Sequence, residues 1–596
     1  MQTATTVLEV IHNRGMQQQV LERMYRQLYN PDLYRTAYSK IYANDGALTE
    51  GVNEDTLDGT SERKFQRTID ALKSETYRWQ PVRRAYIPKK DNKKRPLGIP
   101  TGTDKLLQAV IKELLEAYYE PQFSERSHGF RPGRGCHTAL RQIAEKHRDV
   151  SWFIEGDIKG FFDNVDHDTL LDVLRKRIQD ERFIALLKRL LDAGYMEDWK
   201  WNRTHSGTPQ GGIISPLLAN IYLNEFDQWV ETTLLPMYNK RGSGNAGRSR
   251  NPEYRHYEYL RRKAKIAGDK KAFQKYGRLM KSVPSVIDDD TYRKLEYVRY
   301  ADDFVLSFAG PKHEAEDIKG LISTFLLTQL HLEMSEEKTL ITSARHGKAS
   351  FLGYDLCVMH SNVKQTGGRR STNGQIWFGI PKKVRQSVKA RYMKDGKPVH
   401  IAAKLSLSDY DIISEFQAEY RGLVNYYIMA HNIDQLTEVK WVITTSLLKT
   451  LAGKHKSSVS KISKKYGCST TIKSRDYKTI GVTVEREGKP PLKTYFGGIP
   501  LKRNPEPTQI RDAKQYRLTS RVQLIDRMLA DECEMCGGTG DVEIHHVRKL
   551  ANLHPKGRKE KPAWMKRMIA MRRKTLVVCK QCHNAIHVGQ SRKEWN

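Results

Sequence analysis

Two groups of residues carry most of the chemistry in this sequence, three aspartates in its first half and a knot of cysteines and histidines near its end. Asp157 closes the apolar run Trp152-Phe153-Ile154-Glu155-Gly156-Asp157-Ile158, and Asp302 and Asp303 interrupt the apolar stretch from Leu295 to Phe308. The first run is predicted to be a buried strand ending in a carboxylate, and the second a β-hairpin with its acids at or near the turn. Adjacent ionised carboxylates flanked by core-grade residues repel each other and are costly to desolvate, a penalty that a bound divalent cation removes. If Asp157 lies beside the hairpin, the three acids can hold two Mg²⁺ roughly 4 Å apart, one activating a primer 3′-hydroxyl and the other stabilising a pyrophosphate leaving group. That is nucleotidyl transfer. An Asp-Asp dipeptide alone reads equally well as a turn with solvated acids; the surrounding pattern favours the metal.

At the other end, Cys533-x-x-Cys536 and Cys579-x-x-Cys582 supply four thiolates, the soft-ligand set of a closed tetrahedral zinc. Glu543-Ile544-His545-His546 lies between the pairs, and His583-x-x-x-His587 follows. One zinc would leave the four histidines unexplained, so two metal sites are expected. The alternative is a purely structural zinc ribbon that binds DNA without cutting it. Cys136, Cys357 and Cys468 are isolated and read as packing residues, and seven cysteines in 596 residues do not make a disulfide scaffold.

The elements that must position these groups are spread over a chain long enough for about four domains. A net charge of +33, distributed along the whole length, calls for a polyanionic partner. A membrane surface is disfavoured, since no apolar run approaches the roughly 18 residues of a spanning helix and Met1-Gln2-Thr3-Ala4 resembles no signal peptide. Residues 1–80 are expected to be helical, broken by a loop from Asn44 to Gly51. Arg83–Pro88, a basic turn through Lys94 and Arg95–Pro100 form a hairpin presenting cations. Strands and helices then alternate to about residue 365, giving an α+β domain around a sheet. Pro236 to Val283 interrupts it with 14 Lys and Arg against 3 Asp and Glu, either a solvated helical hairpin or an RNA-backbone contact. Residues from about 375 to 480 are mainly helical. The basic, Pro-containing stretch from about 481 to 530 is a linker or a DNA-contacting arm.

Tyr300-Ala301-Asp302-Asp303 resembles the signature of reverse transcriptases, and its neighbours resemble those of group II intron-encoded proteins in order and spacing. They include Arg95-Pro96-Leu97-Gly98-Ile99-Pro100-Thr101, Ser127-His128-Gly129-Phe130-Arg131-Pro132, Asp157-Ile158-Lys159-Gly160-Phe161-Phe162-Asp163, Thr208-Pro209-Gln210-Gly211-Gly212-Ile213-Ile214-Ser215-Pro216-Leu217, Glu337-Lys338-Thr339 and Phe351-Leu352-Gly353-Tyr354. Several motifs in one order are far more specific than any single one. The resemblance implies an α+β multidomain fold: a right-hand polymerase with fingers, an antiparallel palm sheet and a helical thumb, followed by a small zinc-stabilised ββα-metal nuclease. The implied division is 1–80 as N-terminal extension and start of the fingers, 81–365 as fingers and palm with the basic insertion 236–283, 366–480 as thumb or maturase domain, 481–530 as linker or DNA-binding segment, and 531–596 as endonuclease.

By the same resemblance Asp157, Asp302 and Asp303 bind the catalytic Mg²⁺, and Lys89 and Arg95 hold the incoming triphosphate. Phe162 is the steric gate against a 2′-hydroxyl, and Gln210 contacts the same sugar. Phe162 also reads as core, and Lys89 as a solvated turn residue. Arg421-Gly422-Leu423-Val424-Asn425-Tyr426-Tyr427, with aromatics beside cations, suits stacking on the bases of a folded RNA, or else forms an aromatic core stripe.

The C-terminal cluster resembles an HNH nuclease. That implies His545, His583 and His587 on a divalent ion, Mg²⁺ included, structural Zn²⁺ on the four cysteines, His546 as general base, and Glu543 orienting His546 or assisting the metal. Where the motif has Asn, this chain has Lys574-Thr575-Leu576, which puts the support of His546 in question. The implied partners are intron RNA, target double-stranded DNA and deoxynucleoside triphosphates, in a bacterial cytoplasm at the nucleoid. A splicing maturase with a vestigial polymerase, or a retron or diversity-generating reverse transcriptase, are the competing readings; the intact aspartates oppose the first, and the nuclease tail and thumb the second.

Overall fold

The computed structural model describes the chain apart from residues 1, 45, 89–93, 198–199, 203–206, 208–210, 240–249, 284, 286–291, 362–364, 367–368, 371–372, 473, 487–488, 508–522, 548–552, 554–560, 572 and 590–596. Lys89 and Gln210 thus lie outside the described residues.

The aspartates sit on one antiparallel sheet, with strands in the spatial order Lys294–Tyr300, Asp303–Ala309, Trp152–Asp157 and Ile341–Ser343. The register places Asp157 opposite Asp303 and closes the hairpin at Tyr300↔Asp303, leaving Ala301 and Asp302 as a two-residue turn. Gly156 faces Phe304; a Cβ there would stand 2.1 Å from the Phe304 ring, so the glycine lets that ring lie across the strand.

Ala301 takes φ of 56°, a left-handed conformation that costs an L-residue about 1 kcal/mol. The turn is held from below. Arg299, with no exposed surface, donates from Nη1 to the Ala301 carbonyl at 2.8 Å and grips Asp227 through Nε at 2.8 Å and Nη2 at 2.5 Å. Tyr297 donates its hydroxyl to the same Asp227 at 2.7 Å. Asp227 comes from the helix Ser215–Trp229, which packs with the helices Gly102–Tyr119 and Lys312–Leu330 into the main core. The Ser127-His128-Gly129 segment runs along the other side, with the His128 N–H donating to the Arg299 carbonyl at 2.9 Å. A Cβ on Gly129 would meet the Ala301 backbone nitrogen at 2.3 Å.

A second sheet orders Lys94–Ile99, Val82–Pro88, Tyr195–Glu197 and Lys200–Asn202, which includes the expected cationic hairpin. The basic insertion is a pair of helices, Pro252–Ile266 and Lys270–Ser282, in which only Ala264 and Met280 are buried. Most of the cations on these two helices are exposed, Arg261, stacked on Phe273, being half-buried.

Beyond residue 380 come the helices Lys382–Ala390, Asp409–Tyr426, Leu436–Lys454 and Val459–Tyr466. They are followed by a meander of Gly467–Ile472, Arg475–Arg486 and Lys489–Gly497. The meander packs on the helix Asp409–Tyr426, with Gln417 exchanging hydrogen bonds with Gly497. The expected division at 480 falls inside the strand Arg475–Arg486, which pairs with Lys489–Gly497. Tyr426 and Tyr427 are not free to stack on RNA bases. Their hydroxyls donate to the carbonyls of Leu352 at 2.7 Å and Gly353 at 3.1 Å, tying this domain to the Phe351–Tyr354 turn.

The C-terminal unit is a ββα arrangement: Val542–His546 pairs antiparallel with Thr575–Cys579, and the helix Lys580–Val588 follows. It begins before the expected residue 531, since Arg527 on the helix Gln523–Leu529 forks onto Glu534 with two contacts of 2.6 Å. Val542, Ile544 and Val577 share one core with Tyr38, Leu57 and Phe65 of the N-terminal region. The two ends of the chain are packed together.

Because Asp227 is the counter-charge of a fully buried guanidinium, Asp227→Ala is expected to cost about 3–5 kcal/mol. Tyr297→Phe removes one hydrogen bond and is expected to cost only about 1 kcal/mol. Urea denaturation of the two variants checks the contrast.

Candidate functional site

Asp157, Asp302 and Asp303 converge at one end of the sheet. Burial raises the pKa of Asp302, and the charge of Asp157 adds to it, with Lys338 and Arg95 working against both. Burial together with the charges of Asp302 and Asp157 pushes Asp303 to about 7. Asp302 and Asp303 thus resist ionising side by side, and an oxygen-only donor set of this kind would suit Mg²⁺. Lys338 donates to Asp157 at 2.8 Å, a cation already on the cluster. Its motif was visible in the sequence, but nothing there assigned it to this site. The backbone explains its position: the Ser335 N–H donates to the Asp157 carbonyl at 2.8 Å and brings the segment alongside.

Arg95 is exposed on the cationic hairpin and close enough to act electrostatically on Asp302. Phe162 lies in the turn Phe161–Asn164, reached through Gly160 at φ of 54°. It is half-buried, edge-on to Phe161 at 5.3 Å and to Phe130 at 6.3 Å.

At the C-terminal unit the sulfurs of Cys533, Cys536, Cys579 and Cys582 lie within 4.8 Å of one another. The Cys536–Cys579 sulfur separation is 3.9 Å, close to the edge of about 3.8 Å that a tetrahedron of 2.3 Å Zn–S bonds requires. The four cysteines fit zinc.

The histidines divide. His545, His583 and His587 gather, with ring centroids 4.8 to 5.2 Å apart. Both ring nitrogens of His545 are buried without a hydrogen-bond partner, and a metal bond would satisfy one of them. Burial lowers the pKa of His583, but the hydrogen bonds it donates to Asp58 and Glu543 outweigh it and raise the value to about 9. Burial takes His545 down to about 4.

Glu543 receives His583 Nδ1 at 2.8 Å, so it orients a metal-side histidine and not His546. His546 turns to the other side of its strand, where Nε2 meets the Tyr38 hydroxyl at 3.2 Å. It pairs across the sheet with Thr575, the position near the absent Asn, so its support comes from the N-terminal helices. Asp58 was missed altogether. It stands among the four histidines, and its partners lie nearly a full chain length away in sequence.

A sheet bearing three convergent carboxylates, joined to a ββα unit with thiolate and imidazole clusters, is the arrangement of a two-module nucleic-acid enzyme whose side chains are compatible with bound metal. The chain matches the families described as reverse transcriptase (RNA-dependent DNA polymerase) over residues 87–246, type II intron maturase over 380–496, and AI2M/AI1M-like HNH endonuclease over 533–583. It is 41% identical to the group II intron-encoded protein LtrA of Lactococcus lactis subsp. cremoris, over 98% of this chain and 99% of that one. It is also 36% identical to an uncharacterized 91 kDa protein in the cob intron of Schizosaccharomyces pombe, over 94% of this chain and 69% of that one. The protein YkfC of Escherichia coli is 33% identical over 56% of this chain and 83% of its own length. The chain belongs to the group II intron-encoded proteins. It is a multifunctional member, with RNA-directed DNA polymerase, maturase and DNA endonuclease modules. Among the described residues no helix is long and apolar enough to cross a membrane.

Asp303→Asn removes one of three mutually repelling charges. In metal-free buffer it is expected to raise unfolding stability by on the order of 1 kcal/mol while abolishing DNA synthesis, a trade between stability and function. Thermal denaturation in EDTA, paired with primer extension, checks both halves.

Proposed function

We propose that Asp157, Asp302 and Asp303 hold the Mg²⁺ of the polymerase, and that the chain copies intron RNA into DNA from a 3′ end made by its own endonuclease. The observation that carries this reading is the register of Asp157 opposite Asp303, with Asp302 in the turn that Arg299 fixes. Bound Mg²⁺ supplies activation of the primer 3′-hydroxyl and neutralises charge on the departing pyrophosphate. The protein supplies the rest. Arg95 faces the triphosphate, with Lys89 assigned to the same task by sequence. Phe162 closes the space that a 2′-hydroxyl would need, and Gln210 is assigned to the sugar beside it. Lys338 balances the carboxylates until the cation is in place.

The proposed organisation is fingers around the cationic sheet, a palm around the carboxylate sheet, and a thumb or maturase domain extended through the meander to about residue 497. Intron RNA is the proposed partner of that domain and of the basic insertion, whose exposed cations suit a phosphate backbone. The four cysteines hold structural Zn²⁺. His545, His583 and His587 hold the nuclease ion, and three imidazoles suit a transition metal better than Mg²⁺. His546 acts as general base on one strand of a double-stranded DNA target. The setting is a bacterial nucleoid.

Primer extension on an RNA template with Mg²⁺ and deoxynucleotides tests the central claim. Wild type extends and Asp302→Ala does not; no extension by wild type, or equal extension by the variant, rejects it. Phe162→Ala is expected to keep extension with deoxynucleotides and to admit ribonucleotides at least about tenfold more readily, as fits the loss of one steric contact. Single-nucleotide incorporation kinetics with the two substrates measures this.

A further inference from the structure

Asp58 lies in the loop before the helix Glu62–Lys73, in the N-terminal region, yet its carboxylate enters the nuclease centre. One oxygen, Oδ2, stands 3.0 Å from His587 Nε2 and 3.3 Å from His583 Nε2, and those two nitrogens are 3.1 Å apart. Without an ion these contacts are hydrogen bonds, but ligand atoms on a tetrahedral ion with bonds near 2.0 Å are separated by about 3.3 Å, so the same three atoms could close on one ion with little movement. The other oxygen, Oδ1, accepts the His546 backbone N–H at 2.7 Å and stands 3.6 Å from its ring Nδ1. The carboxylate therefore spans the gap between the metal-side histidines and the proposed general base. A scissile phosphate has to occupy that gap.

The loop is built to stay there. The Gly59 N–H donates to the Ile544 carbonyl and the Ile544 N–H to the Thr60 carbonyl, both at 3.0 Å, which adds the loop as an edge to the nuclease strand. Gly59, at φ of 67°, passes beneath His583, where a Cβ would already touch the ring at 3.4 Å. Leu57 is buried, and Arg63 pairs with Asp541 at 2.7 Å across the joint. A cleft of about 580 Å³ opens beside the carboxylate; its lining mixes four cations, Arg67 and Lys580 among them, with five acids that include Asp58 and Glu543.

We propose that Asp58 is the fourth ligand of the nuclease ion and a stand-in for the scissile phosphate, so that the endonuclease is latent while its site is docked on the N-terminal loop. Three histidines and one carboxylate close a four-coordinate shell, whereas hydrolytic sites of this type keep a position open. His546, packed on Tyr38 and Tyr42, is equally withdrawn from water. A DNA phosphate that reaches the site competes with Asp58 for the same position, which couples cutting to target binding.

This rests on the reading that His545, His583 and His587 hold the ion, and the test separates the two. Full-length protein with zinc already on its cysteines is titrated with Co²⁺, whose visible absorption is intense when four-coordinate and weak when water expands the shell. Wild type is expected to give the intense band, and Asp58→Asn a weaker band with affinity lower by about tenfold or more. His583→Ala should lose binding altogether. If His583→Ala binds as wild type does, the histidine assignment fails; if it loses binding while Asp58→Asn matches wild type in band and affinity, only the Asp58 assignment fails. With saturating Co²⁺, Asp58→Asn is expected to nick supercoiled plasmid faster than wild type. An equal or slower rate would overturn the latency, whatever the spectra show.

Discussion

A guanidinium with no exposed surface stands two residues before the acidic turn of this polymerase, and the geometry of the carboxylate site hangs on it. Arg299 cannot stay charged in the core without Asp227, and Asp227 belongs to a helix rather than to the sheet. The pair therefore ties the sheet's catalytic end to its helical backing. Nη1 of Arg299, which also reaches Asn220, holds the Ala301 carbonyl and keeps the turn in a conformation alanine would not choose. Burial of an ion pair adds little to net stability in general; here it fixes where Asp302 and Asp303 point.

Much of this was legible in the sequence because the signals are local. An apolar run ending in Asp157, and a hairpin broken by Asp302 and Asp303, need only the strand period to be read. The paired cysteines needed only their spacing. What escaped was non-local. Asp58 is a loop acid 488 residues from His546, and no periodicity or motif links the two. Lys338 was visible within its motif, but its approach to Asp157 depends on a backbone contact that the sequence does not announce. For Tyr426 and Tyr427 the sequence left RNA stacking and a core stripe both open, and what favours the second is non-local: their hydroxyls find carbonyls on a distant turn. The separation of His546 from its metal-side neighbour, by contrast, was in the motif, and strand alternation sends the two rings to opposite sides.

The two catalytic modules differ in how they reach readiness. At the polymerase site the strain is electrostatic and is stored among the chain's own charges, to be relieved by a cation. At the nuclease the ligands are complete without substrate, and a carboxylate borrowed from the far end of the chain makes them so. One module waits for metal, the other for DNA.

The shared core of the first and last parts of the chain bears on how such genes can decay. Ile544 and Val577 cover the same apolar interior as Tyr38 and Phe65, so a frameshift that removed the last 60 or so residues would not trim an appendage. It would leave a greasy patch on the polymerase, and a lineage that sheds its nuclease must repaint that patch with polar residues before the remaining protein is soluble.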